Sequence, residues 1–93
     1  LDFTFGVEYG TNFELVKKTL QEIISKDNRI LLEPAPMIEL SALADSSVNV
    51  MVRVWVKASD YWAVNFDMNK HVYATFNEKG ISFPFPQLTV HQA

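Results

Sequence analysis

The side chains of this 93-residue sequence that could move a proton, bind a metal or hold an anion are two histidines, eight basic residues and eleven carboxylates. His71 falls inside a stretch of helical periodicity and His91 close to the last residue, and neither has a second histidine four positions away, the spacing that puts two imidazoles on one helical face. With no cysteine, disulfides, thiolate zinc sites and a cysteine nucleophile are excluded. The carboxylates are spread along the chain, so no general acid/base pair is nominated. The net charge is −3 and only Lys17 and Lys18 are adjacent, so there is no basic stripe to neutralise a phosphate backbone. These residues predict no catalytic site, no metal, no cofactor and no nucleic-acid partner; the chain is not read as an enzyme.

The elements that would carry such residues follow from periodicity. Phe3, Phe5, Val7 and Tyr9 alternate with Asp2, Thr4, Gly6 and Glu8, the pattern of a half-buried strand. After Gly10, Thr11-Asn12-Phe13-Glu14 fits a capping box with Thr11 as the cap. The helix it opens runs to about Lys26 and buries Phe13, Val16, Leu20, Ile23 and Ile24, leaving Lys17 and Lys18 on a solvated face. A connection with Pro34 and Pro36 leads to a second strand over 37–43, with Ile38, Leu40 and Ala42 on one face. Ala44 to Ser47 supply a turn, and alternating valines from Val48 to Val56 predict a third strand in hairpin with the second. Ser59 or Asp60 would cap a second helix that runs to about Glu78 and stops at Gly80. Residues 81–92 read as extended, interrupted by Pro84 and Pro86.

The order β-α-β-β-α-β in one domain of this length predicts an α+β fold, a ferredoxin-like βαββαβ sandwich with two helices on one face of a four-stranded antiparallel sheet. The first and third strands would be central and the proline-bearing second and fourth strands edges. On that fold, an acylphosphatase would require an arginine in the turn after the first strand, and Tyr9-Gly10-Thr11-Asn12 has none. An RNA-recognition domain would require basic and aromatic residues where the central strands here carry Asp2, Thr4, Gly6, Glu8 and Asn49. Arg53, between Met51 and Trp55 on the face opposite the valines, would stack on Trp55 or pair with a carboxylate.

Apolar residues exceed what one core needs. In the second helix Tyr61, Val64, Met68 and Val72 form one stripe, with Phe76 at its margin, and Trp62, Phe66 and Tyr73 form another about 120° away. One stripe faces the sheet; the other either lies under loops or meets a second surface. The tail alternates aromatics with prolines, either as an edge exit or as a rigid arm leading to a neighbour. No run of 18 apolar residues is present, and the first residue opens inside a strand pattern without an initiator Met, so the chain is expected to be a soluble fragment of a longer protein.

Gly80-Ile81-Ser82-Phe83-Pro84-Phe85-Pro86-Gln87 resembles a signature near the chain end of the small-conductance mechanosensitive channel (MscS) family, in its C-terminal cytoplasmic domain. Ser46-Ser47-Val48-Asn49 with Val52-Arg53-Val54-Trp55 is a second match, and Gly6-Val7-Glu8-Tyr9 and Arg29-Ile30-Leu31 are weaker ones. The resemblance implies a homoheptameric ion channel of the bacterial inner membrane, opened by membrane tension to release solutes in hypo-osmotic shock. This chain would be part of its hollow cytoplasmic cage. Residues 1–86 would then be the ferredoxin-like domain, and 87–93 the start of a strand leading to a β-barrel shared by the subunits. Other copies of the chain would be its partners, through Trp62, Phe66, Tyr73, Phe83, Pro84, Phe85, Pro86 and Gln87. The membrane would be reached only through other segments, and Asp2 and Glu8 would lie near a portal where their charge could filter ions. The alternative is a small-molecule-binding regulatory domain of the same ferredoxin-like fold.

Overall fold

The computed structural model describes residues 1–44 and 47–83. Alternation in the sequence becomes strand β1 (Asp2–Val7), helical spacing becomes α1 (Phe13–Ser25), and the hairpin becomes β2 (Met37–Leu43) and β3 (Val48–Arg53). A single 3₁₀ turn at Ala58–Asp60 leads into α2 (Tyr61–Lys79). The sheet is antiparallel throughout, in the order β1-β3-β2. The fold is α+β, with three strands and two helices among the described residues; the expected fourth strand falls largely on residues outside them. At that edge Glu8 N–H donates to the carbonyl of Ser82 at 3.0 Å, so residue 82 runs beside the end of β1.

The register explains the core. Phe3 faces Val52, Phe5 faces Val50 and Val7 faces Val48, so one sheet face is continuously apolar. Onto it α1 lays Val16, Leu20, Ile23 and Ile24, and α2 lays Val64, Met68, Val72 and Phe76. Phe76 is fully buried, its ring 6.4 Å from Phe5 and 5.6 Å from Phe83. It belongs to the centre of the core, not to the margin of a stripe. Tyr61 was expected in that stripe and is 40% exposed instead, since it opens the helix beyond the reach of the sheet.

Four further expectations are corrected by local geometry. Asn12, not Thr11, caps α1: its side-chain oxygen accepts from the N–H of Glu14 at 2.9 Å and of Leu15 at 3.4 Å. The Thr11 hydroxyl is already used, donating to the Glu8 carbonyl at 2.7 Å. Strand β3 ends at Arg53, and Val56 makes only an isolated bridge to Ile30. In β2 the register shifts between Leu40 and Ala42, and Leu40 is 44% exposed although its partner Val50 is fully buried. A bulge on an edge strand turns its side chains away from the core in this way. Asp60 precedes α2 but makes no side-chain cap bond. The far end of α2 matches the reading from sequence: Gly80 sits at φ +75°, the left-handed conformation that ends a helix.

Candidate functional site

The second aromatic stripe of α2 stands outside the core. Trp62 and Phe66 are each 63% exposed and Tyr73 is 65% exposed. Helical spacing stacks Trp62 on Phe66, with ring centroids 5.8 Å apart, and Tyr61 meets Trp62 edge-on at 5.2 Å. Tyr73 continues the line two turns further, roughly 10 Å along the axis from Phe66 at 1.5 Å per residue. Between them Asn69 turns its amide back to the carbonyl of Asn65, at 3.0 Å, and the exposed Lys70, one turn from both Phe66 and Tyr73, flanks the ridge. Rings of this size left in water are unusual unless another surface covers them.

A charged clip ties α2 to the connection after α1. Arg29, in the connection after α1, donates to both carboxylate oxygens of Asp27 at 2.9 and 2.8 Å and to Asp67 on α2 at 2.9 Å. The Asp27 carboxylate also accepts from the backbone N–H of Arg29 at 3.0 Å. The Arg29 side chain, through its hydrogen bonds, holds Asp27 below the usual carboxylate range, and the two carboxylates push Arg29 up. This fork-shaped recognition of carboxylates is the geometry that guanidinium favours. The Asp27-Asn28-Arg29 spacing could have suggested the local pair, but nothing in sequence points to a partner 38 residues away.

A second surface, which sequence reasoning did not single out, lies beyond α1. A groove of about 540 Å³ runs between α1 and the outer side of β2, lined by Ile24, Leu32, Pro36, Met37 and Ile38, with Lys17, Gln21, Ser25 and Glu39 beside them. Leu32 is 86% exposed. Lys17, expected on a solvated face, borders this groove.

The remaining candidates are scattered. Asp2 and Glu8 stand at opposite ends of β1, roughly 20 Å apart at 3.3–3.4 Å per residue, so they form no common cluster. Arg53 pairs with Asp2 across the strands at 2.8 and 3.2 Å, not with Trp55, and these hydrogen bonds hold Asp2 below its ordinary carboxylate value. Phe83 is half-buried against the domain's own Phe76. Pro84, Phe85, Pro86, Gln87 and His91 lie outside the described residues. His71 is exposed on α2, and among the described residues no group of three or more histidines and carboxylates could hold a metal ion.

Comparison with known proteins is consistent along the chain. The family described as "Mechanosensitive ion channel MscS, C-terminal" matches residues 1–83. An MscS family protein of Synechocystis sp. is 40% identical over 91 residues, covering 98% of this chain and 31% of that protein. The small-conductance mechanosensitive channel of Edwardsiella ictaluri is 37% identical over 91 residues, covering 98% of this chain and 32% of that protein. The crystal structure of Helicobacter pylori MscS in its closed state superposes with a TM-score of 0.87 at 27% identity, over 94% of this chain and 35% of that one. The chain thus spans about a third of the length of the curated relatives it matches.

Proposed function

The chain belongs to the MscS family of mechanosensitive ion channels, matching its C-terminal domain, and from that premise we propose that it is a wall element of a cytoplasmic cage carried by a tension-gated channel. The family is one of channels and not of enzymes. In this reading the parent protein opens under membrane tension and releases solutes in hypo-osmotic shock. The described residues contribute structure and assembly, with no catalysis. No helix among them is long and apolar enough to cross a membrane, so tension sensing and conduction are assigned to other segments of the parent, and this domain to the cytoplasmic side of the inner membrane.

The observation that carries the reading is the exposed ridge of Trp62, Phe66 and Tyr73. A domain that functioned alone would gain by making these positions polar, whereas a subunit of a ring needs an apolar contact. We assign the ridge to contacts between copies of the chain in a homoheptamer. Phe83 and the Pro84-Phe85-Pro86-Gln87 segment belong to the same assembly as the lead into a shared barrel starting at residue 87. The hydrogen bond between Glu8 and Ser82 supports a fourth strand beside β1, which would complete the ferredoxin-like sandwich over residues 1–86. Portal electrostatics would fall more on Glu8 than on Asp2, whose charge is offset by Arg53.

The test is a patch-clamp recording of the full-length parent in a membrane without other such channels, while suction is raised. A tension-activated conductance is expected. Silence up to lytic tension, with the protein demonstrably in the membrane, overturns the channel reading.

A further inference from the structure

The ridge and the groove lie on opposite flanks of the domain. At about 100° per residue, Trp62, Phe66 and Tyr73 point roughly 120° from the buried stripe of α2. Asp67 and His71 occupy a third sector, roughly 120–160° from the ridge on the same reckoning. That third sector faces α1 and its connection: Asp67 pairs with Arg29, and His71 lies beside Ile23 and Lys26. The ridge therefore points away from α1. The groove is on the far side of α1, over the outer edge of β2. One chain thus carries two uncovered apolar surfaces of opposite shape, a convex row of rings and a concave trough.

We infer that the α2 ridge of one copy seats in the α1–β2 groove of the next, so that a second copy of this chain covers both surfaces by one head-to-tail operation. This rests on the assembly reading above and specifies the contact. A covered aromatic buries about 150–250 Å². The three rings at these exposures therefore present roughly 300–500 Å², about half of the ~800 Å² that each partner brings to a stable interface. The groove answers with Leu32, Pro36 and Met37, and the Lys70 that flanks the ridge is matched by the Glu39 that borders the groove. Packing ridge against ridge would be isologous, would stop at a two-fold dimer and would leave Leu32 in water. A contact between unlike surfaces repeats from copy to copy and closes into a ring when the rotation allows.

The test uses the full-length protein with any cysteines outside this chain replaced; the chain itself has none. Phe66→Cys and Leu32→Cys are made singly and together and treated with a short bifunctional maleimide. A ladder of multimers from the double variant and monomer from each single one is expected. If the double variant is poorly folded, Tyr73→Cys with Met37→Cys asks the same question on the same two surfaces. Dimers from Phe66→Cys alone would show ridge on ridge and overturn the inference. No cross-linking in either pair, with the protein still oligomeric by native mass spectrometry, overturns it while leaving the assembly reading intact. A protein that is monomeric under the same native conditions overturns both.

Discussion

The two apolar faces of α2 are made of similar residues and have opposite fates. Val64, Met68, Val72 and Phe76 are 3% exposed or less, whereas Trp62, Phe66 and Tyr73 are more than 60% exposed. Three aromatic rings, each of which would gain from burial, are left outside, while Phe76 is the one ring of the helix that is fully buried. A fold selected only for its own stability would place them the other way round, because each buried ring removes about 150–250 Å² from water. The inner face builds the domain; the outer face is the one we assign to contacts with other copies. Hydrophobicity alone does not separate the two roles. The Arg29–Asp67 pair lies on a third sector, between the two faces and toward α1.

The sharpest way to break this comparison is to shorten one ring on each face. Phe76→Ala removes a ring tilted against Phe5 and stacked on Phe83 and leaves a cavity that fixed strands on one side cannot fill. The expected loss is about 3–5 kcal/mol, read from denaturant unfolding of the 93-residue chain. Phe66→Ala in the same chain is expected to stay within about 0.5 kcal/mol of the parent sequence, as exposed substitutions do. Equal losses at the two positions would mean that the ridge is covered by the domain itself.

A smaller effect is expected at Gly80, which ends the inner face. Its left-handed backbone lets its own N–H reach the Asn77 carbonyl and the N–H of Ile81 reach the Phe76 carbonyl at 2.9 Å. The chain is thereby folded back so that Ile81 is buried and Phe83 lies on Phe76. A Cβ added at Gly80 meets no atom within 4 Å, so Gly80→Ala costs only the backbone conformation, about 1–2 kcal/mol. A neutral result in the same unfolding measurement would mean that the turn relaxes without cost and does not anchor the start of the tail.

How much of this was legible in the residues depends on how far each feature reaches. The strands of the β1–β3 pair were readable because alternation with period two is local, and Gly80 was readable because only glycine takes its conformation cheaply. The two stripes of α2 were separable from spacing, and their unequal exposure matches the surplus of aromatics. Thr11 and Asn12 are both good caps one residue apart, and the choice turned on Glu8, whose carbonyl takes the Thr11 hydroxyl. Leu40 looked buried because a bulge cannot be seen in a hydrophobic pattern. The groove escaped notice because it joins residues from α1, the following connection and β2, none of which carries a motif. Arg29 was visible only as part of a family pattern, and its bond to Asp67 exists only once the helices are packed.

The third sector of α2 supplies the smallest and most specific prediction. The hydrogen bonds from Arg29 hold Asp27 below its ordinary value of 3.8, so the folded state favours the charged carboxylate more than the unfolded chain does. The stabilisation is therefore fully present above that ordinary value and is lost as pH falls below it through the depressed folded value. Arg29→Gln removes the cause, and the stability lost by the chain on acidification below pH 4 should shrink accordingly, with the curves of the two proteins converging at the acid end. At neutral pH the Arg29–Asp67 arm, a third or so exposed on both sides, is expected to contribute little to stability. Its larger consequence is geometric. If the clip sets the rotation of α2, Arg29→Gln should increase hydrogen exchange at Asp67 and His71 more than at Val64 and Phe76. Uniform exchange along the helix would show that the buried stripe orients α2 by itself, and that the direction of the ridge owes nothing to Arg29.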